Sequence, residues 1–368
     1  RVLLALGQAY EGTRETGLAE KSYRQALERD PASLEARFFL ARIHQARGED
    51  DEALRLYREV LSADGARDSP AARALFVHTR TQVGLIHLLN KRYEDALEFL
   101  GQAYRAGGDP SADLFVLLGR TYIEAGRAGD AWKVLSEGRE KYPDDPDLAA
   151  LEGEIHLRES RPDRARKVFR DLLDQSGGSE GAYLGVLRSH LRAERLQEAG
   201  PWIREAVRKH PGSRDLEFQA AAFEERLGRY KEAEKKFREL IRKRPEDAEA
   251  LNYLGYMLAD RGVQLEDSLR LIEKAVSLEP ENAAYVDSLG WVHYRLGRFD
   301  RAEAYLEKAV QGSGDDPAIL EHLGDVRAAL GKSSEALDAY RKALERGAEE
   351  PEEIRKKIQK LERGPAGP

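Results

Sequence analysis

The sequence repeats itself about every 34 residues along nearly its whole length, and a period in that range confines the chain to stacked supersecondary units. Four stretches show it: Leu118-Gly119 followed by Tyr122, Leu254-Gly255-Tyr256, Leu289-Gly290-Trp291 and Leu323-Gly324. Downstream of each glycine comes a small residue (Ala131, Ser268, Ala302 or Ala336), then a bulky one (Leu135, Ile272, Leu306 or Tyr340). A chain built this way has a strip of core instead of a centre, so no single globular active site is expected.

Taking the glycine as position 8 of each unit puts the register at Gly7, Ala41, Gly84, Gly119, Gly153, Leu187, Ala221, Gly255, Gly290 and Gly324. Position 20 is then alanine in every unit but one, where it is Ser268, and position 24 is always large and apolar. The pattern predicts two antiparallel helices per unit, with small residues at positions 8 and 20 letting the backbones approach. Position 24 is expected to fill the space between one pair and the next. Glycine at position 15 (Gly48, Gly126, Gly228, Gly262, Gly297, Gly331) suits the turn between helices, where φ > 0 is often required. Pro31, Pro143, Pro211, Pro245 and Pro280 stop second helices, because proline has no N–H and clashes with the preceding turn.

These residues carry a resemblance: over most of its length the chain resembles a tetratricopeptide repeat protein. The resemblance implies an all-α fold, a right-handed superhelical solenoid of about ten helix hairpins over residues 1–350. The repeats are expected to start near residues 1, 34, 77, 112, 146, 180, 214, 248, 283 and 317. Repeats 6 and 7 depart most, with Leu187 and Ala221 at the glycine position. An insert around residues 62–70 predicts a longer loop, after which Pro70 to Leu75 extend the next helix backwards. Residues 351–363 read as a helix capping the last apolar face, and 364–368 as a flexible tail.

The bulk numbers narrow the function. A net charge of −7 argues against a dedicated binder of phosphate backbones, so no nucleic-acid partner is expected. The chain has no cysteine, which removes disulfides, thiolate metal sites and cysteine nucleophiles. No apolar run approaches a membrane span. The chain opens inside a repeat and without Met, so any signal peptide or lipid-attachment site is expected upstream.

Three apparent motifs dissolve in the register. His44, His87, His156, His190 and His293 all occupy position 11, one per repeat, which is too far apart for shared coordination. Each is expected to be a half-buried replacement for tyrosine. Gly331-Lys332-Ser333 ends like a phosphate-binding loop, but Val326 stands where the leading glycine should be and no strand precedes it. Members of the family that bind Hsp70 or Hsp90 use a lysine at position 5 of a first helix. Here that position reads Leu4, Phe38, Thr81, Val116, Ala150, Leu184, Phe218, Asn252, Asp287 and Glu321.

The resemblance places first-helix positions 2, 5, 9, 12 and 13 on a concave face. In repeats 8 to 10 these include Asn252, Tyr256, Asp260, Asp287, Trp291, Tyr294, Arg295, Glu321 and Asp325. Rings beside carboxylates suit a peptide groove, although the same rings could simply pack against a neighbouring first helix. Earlier repeats present Arg120, Arg158, Arg188, Arg192 and Arg226 at the same class of position. Residues 146–247 hold 22 basic and 20 acidic side chains, while 248–350 hold 12 and 20, so the groove is expected to be polarised.

The leading expectation is a non-enzymatic scaffold or adaptor with protein or peptide partners and no cofactor. The run from Leu251 to Gly262, continued by Tyr285 to Trp291 and Leu320 to Val326, resembles the C-terminal repeats of bacterial envelope tetratricopeptide proteins. That resemblance implies the periplasm or the inner face of the outer membrane, and a part in envelope protein assembly or proteolysis. Two other readings stay open: the recognition arm of a larger enzyme, and a structural part of pilus or secretion assembly.

Overall fold

The computed structural model describes residues 2–13, 15–63, 69–106, 109–313 and 315–363. Residues 64–68 of the expected loop and the expected tail at 364–368 lie outside the described residues. Among the described residues there are 21 helices and no strand, and the chain divides into two compact units, residues 1–210 and 211–368.

Unit 1 contains six hairpins. They pair α1 (Val2–Gly12) with α2 (Thr16–Arg29), α3 (Leu34–Ala46) with α4 (Asp50–Leu61), and α5 (Pro70–Leu89) with α6 (Tyr93–Arg105). Then come α7 (Ala112–Glu124) with α8 (Ala128–Lys141), α9 (Pro146–Arg158) with α10 (Pro162–Gln175), and α11 (Glu180–Arg192) with α12 (Leu196–Lys209). Unit 2 contains four: α13 (Arg214–Arg226) with α14 (Tyr230–Lys243), α15 (Ala248–Asp260) with α16 (Leu265–Leu278), α17 (Ala283–Arg295) with α18 (Phe299–Ser313), and α19 (Pro317–Ala329) with α20 (Ser333–Glu345). A last helix, α21 (Pro351–Glu362), packs on α20 and buries Ile354 beside Tyr340. The backward extension of α5 to Pro70 is present, with Ser69 capping it.

The hairpins close on the two small positions. Every position-20 side chain, from Ala19 to Ala336, is at most 1% exposed. Where serine replaces alanine, Ser268 Oγ donates to the Gly255 carbonyl at 2.6 Å, which measures how near the helices run. A Cβ at Gly290 would lie 2.7 Å from Leu306 Cγ, and one at Gly84 2.6 Å from Leu100 Cγ. Position 24 therefore lies over position 8 of its own hairpin. It also fills the space towards the next pair, as the sequence pattern suggested, with Tyr23 stacked on Phe39 and Phe237 on Tyr253 of the following first helix. Gly7 faces Tyr23, Gly153 faces Phe169, Gly255 faces Ile272 and Gly324 faces Tyr340 in the same way. Gly119 differs, since its nearest neighbour is Leu151 of the following first helix. Each fully buried ring or aliphatic chain at position 24 contributes about 1.5–3 kcal/mol. In repeat 6, where Leu187 occupies position 8, Ile203 is only half-buried and Trp202 takes the interior place against Phe169.

Caps and turns set the ends. Most first helices begin on a serine or aspartate whose side chain accepts a backbone N–H: Ser33 from Ala36, Ser111 from Leu114, Asp145 from Leu148, Ser213 from Leu216, Asp247 from Ala250; α17 begins on Asn282 without such a bond. Such a cap contributes about 1 kcal/mol. The turn inside each hairpin needs one left-handed residue. Glycine supplies it at 48, 126, 228, 262, 297 and 331, with φ between 66° and 76°, but Lys91, Ser160 and Glu194 adopt the same conformation at φ 55–56°.

The position-11 histidines are buried, not half-buried. His87 stacks on Phe99, His156 tilts onto Trp132, His190 lies against Phe169 and His293 stacks on Tyr305. Burial holds these four below the usual histidine pKa. Among the described residues no group of three histidines and carboxylates could hold a metal ion.

Candidate protein-binding surfaces

In each unit successive first helices lie side by side, so residues one repeat apart meet on a shared face. In unit 1 this face is built by α7, α9 and α11. Their close approach rests on small residues: Ser189 Oγ donates to the Ala150 carbonyl at 3.0 Å, and a Cβ at Gly185 would meet the Ala150 methyl at 3.8 Å. Positions 9 and 13 then form a lattice of charge, with Arg120, Glu154 and Arg188 in one row and Glu124, Arg158 and Arg192 in the other.

The lattice is not self-satisfied. Arg158 donates to Glu124 at 2.5 Å and lies 3.6 Å from Glu154, while Arg192 is 3.8 Å from Glu154. Glu154 is only 1% exposed, and its Oε2 has no hydrogen-bond partner among the described residues. Burial raises its pKa, and the opposing pull of Arg120, Arg192 and Arg158 does not reverse the shift. Arg120 Nε is also buried without a partner; burial, then Arg192, holds that guanidinium below its usual pKa. Arg188 is exposed and makes no ion pair among the described residues. Beside them an open cavity of about 600 Å³ is lined by Glu124, Arg158, Arg192, Ala193, Glu194 and Arg195.

In unit 2 the corresponding face is made by α15, α17 and α19, and it is largely occupied by its own side chains. Trp291, 9% exposed, stacks on His322 at 4.3 Å between ring centroids and on Tyr294 at 4.9 Å. Tyr256 lies 6.3 Å from His322, and burial, then Asp260 and Asp287, raises its phenol pKa. His322 Nδ1 and Asp287 Oδ1 are 2.8 Å apart. Burial pulls the His322 pKa down, but Asp287, with Asp325 and Glu321, more than reverses it, so the imidazole is held above its ordinary value. Lys357 of α21 donates to Glu321 at 2.7 Å and to Asp325 at 2.8 Å, and the Tyr340 hydroxyl donates to Asp325 at 2.6 Å. Arg295 donates to the Asp260 carbonyl and lies 5.9 Å from the Trp291 ring centroid. Asn252 Oδ1 and Trp291 Nε1 are buried without partners among the described residues, and Asp260 is exposed.

The structure thus gathers Tyr256, Trp291, Tyr294, Arg295, Asp287, Glu321 and Asp325 onto one face of unit 2, and Arg120, Arg158, Arg188 and Arg192 onto one face of unit 1. Arg226 belongs to α13 of unit 2 and is not part of the α15–α17–α19 face. Sequence reasoning passed over several participants, Glu124 among them. His322 sits at position 6, one place beyond position 5. Glu154 looked like any solvated carboxylate, and Lys357 belongs to the cap. Alternating charge at one register position, Arg120 then Glu154 then Arg188, was the available signal for Glu154.

Family profiles described as tetratricopeptide repeats match residues 87–155 in one form and residues 4–72, 152–214, 224–283, 264–317 and 288–351 in another. Together they span most of the chain. The chain belongs to the tetratricopeptide repeat family. Its repeats make it a protein–protein interaction scaffold. Over 61 residues it is 48% identical to the TPR repeat-containing protein PA4667 of Pseudomonas aeruginosa, a match that covers 17% of this chain and 10% of that relative. Solved structures similar to it include the APC/C hetero-tetramer Cut9–Hcn1 (TM-score 0.49, 15% identity, 98% of this chain and 75% of that one). Yeast Tom70 is similar at TM-score 0.44 and 14% identity over 98% of this chain and 95% of that one. A thermophilic TPR protein of Thermus thermophilus, TTC0263, matches at TM-score 0.44 and 24% identity over 50% of this chain and 98% of that one. No helix among the described residues is long and apolar enough to cross a membrane.

Proposed function

We propose that the chain works by binding, without catalysis of its own, and holds segments of partner proteins on its first-helix faces. One observation carries this reading. Polar and aromatic side chains at matching or adjacent register positions meet across successive first helices, as Glu124 meets Arg158 and Asp287 meets His322. Such a face offers a partner segment a row of charges and rings at repeat spacing, which fixes its register.

The setting we propose is the bacterial envelope, in assembly or proteolysis of envelope proteins. The resemblance of residues 251–326 to envelope repeats supports it, and the bacterial relative is compatible with it. Fractionation of the native cell would test this part: recovery with the cytosol rules it out.

The binding reading is tested by placing a photo-crosslinking residue at Arg192 or Asp260 on first helices, and at Arg166 or Arg270 on second helices. All four side chains are well exposed. Crosslinks to mapped partner peptides are expected from the first pair. Crosslinks confined to the second pair would overturn the reading.

A further inference from the structure

The arginine lattice of unit 1 has a charge pattern that the chain itself does not complete. At positions 9 and 13 four guanidinium groups share two carboxylates, Glu124 and Glu154, while Glu194 lines the cavity and Asp147 acts on Arg120 from further off. Arg158 uses both Glu124 and Glu154, which leaves Arg120, Arg188 and Arg192 with little or no pairing. Glu154 is fully buried beside Arg158 and Arg192, and its Oε2 accepts no hydrogen bond among the described residues, with Arg192 standing 3.8 Å away. Leaving a buried polar atom unpaired costs about 1–3 kcal/mol, a cost that a bound segment bringing water or a donor would relieve.

We propose that the α7–α9–α11 face receives an acidic segment of a partner protein, its carboxylates seated on Arg188, Arg192 and Arg120. The inference rests on the reading that first helices hold partner segments, and it names the chemistry of one such segment. Charge complementarity selects the sign of the occupant. The interspersed carboxylates select its charge density: Glu124 and Glu154 would repel a compact dianion, whereas singly charged carboxylates spread along a chain can reach each arginine separately. Geometry gives the spacing. Neighbouring packed helices lie about 10 Å apart, and a polyproline II segment advances about 3.1 Å per residue with three residues per turn, so every third side chain points the same way. A segment crossing the three helices therefore meets a new helix at every third residue. Acidic side chains three apart fit the lattice.

The test is fluorescence anisotropy with the full chain and three labelled twelve-residue peptides that differ only at every third position, carrying glutamate, glutamine or phosphoserine. The glutamate peptide is expected to bind at least tenfold more tightly than the glutamine peptide and to weaken as salt rises. The double variant Arg188→Glu/Arg192→Glu, at two exposed positions, should lose tenfold or more. The control Arg166→Glu/Arg204→Glu makes the same change of net charge on second helices and should lose less than twofold. Equal binding of glutamate and glutamine peptides overturns the proposal, as does an equal loss in both variants. Capture of the phosphoserine peptide alone overturns the choice of carboxylate. First-helix crosslinks that persist while the glutamate peptide fails would leave the scaffold reading standing and this inference refuted; absence of those crosslinks would instead remove the scaffold reading itself.

Discussion

Units 1 and 2 use the same register positions for opposite ends. On α15, α17 and α19 the rings of Tyr256, Trp291, Tyr294 and His322 cover one another, and Lys357 pairs with both Glu321 and Asp325. Two buried atoms there, Asn252 Oδ1 and Trp291 Nε1, have no hydrogen-bond partner among the described residues. On α7, α9 and α11 the arginines at positions 9 and 13 outnumber the carboxylates at those positions, and Glu154 Oε2 accepts no hydrogen bond among the described residues, with Arg192 3.8 Å away. The first face is filled by its own rings, and the second leaves arginines open. Their turns differ in part: all four hairpin turns of unit 2 have glycine at position 15, one of them followed by left-handed Gln264, while unit 1 uses Gly48 and Gly126 but also Lys91, Ser160 and Glu194. Position in the repeat fixes where a side chain lies, and its neighbours one repeat away decide whether it is structural or left for a partner.

The contrast can be broken most forcefully at Trp291. Because it is stacked and nearly buried, Trp291→Ala should destabilise unit 2 by about 3 kcal/mol, read from the denaturation midpoint of unit 2 amides by hydrogen exchange. A loss under about 0.5 kcal/mol, the range of a surface substitution, would mean that the ring is a free groove residue. Gly290→Leu should cost about 2 kcal/mol or more by overpacking, since a Cβ there already meets Leu306 at 2.7 Å and the Ala302 carbonyl at 3.3 Å. Unchanged stability would disprove the assigned register.

Protonation separates the units next. His322 has a raised pKa in the folded chain, so folding binds its proton more tightly, and its contribution is present below about pH 6.5 and lost as pH rises through the folded value. The stability gap between the wild-type chain and His322→Gln should therefore shrink as pH rises from 6 towards 9. Glu154 is also raised, so its charged form weakens unit 1 progressively above about pH 4.5. Glu154→Gln should gain on the wild type between pH 4.5 and 7, and a constant difference would mean that Glu154 titrates normally. The smallest effect is in the turns. Lys91→Gly, Ser160→Gly and Glu194→Gly should each stabilise unit 1 by about 0.5–1 kcal/mol, because only glycine reaches φ > 0 without Cβ strain. Destabilisation by any of them would show that its side chain does more than turn.

The fold was legible because each hairpin repeats the same steric requirement: alanine at position 20 and glycine at position 8 can be read directly from the residues. Only one side of position 24 was legible, its packing on the next pair, as Tyr23 on Phe39 and Phe237 on Tyr253. A periodic sequence says which residues are large, and the distance from Gly290 to Leu306 shows that they fill their own hairpin too. The arginines were picked out by register together with the family resemblance, as were Trp291 and Asp287. How far Trp291 would be buried was not, since it depends on His322, a residue one repeat away at a position with no expected role. Lys357 was missed for a related reason. The cap was read for its apolar face, while the charge it turns towards Glu321 and Asp325 follows only from packing.

The most direct measurement is hydrogen–deuterium exchange of the full chain with and without the glutamate peptide. Protection should appear in α7, α9 and α11, with the amides of α15, α17 and α19 unchanged. Protection of the unit 2 first helices instead, or of second helices alone, would contradict the division of labour between a completed face and an open one.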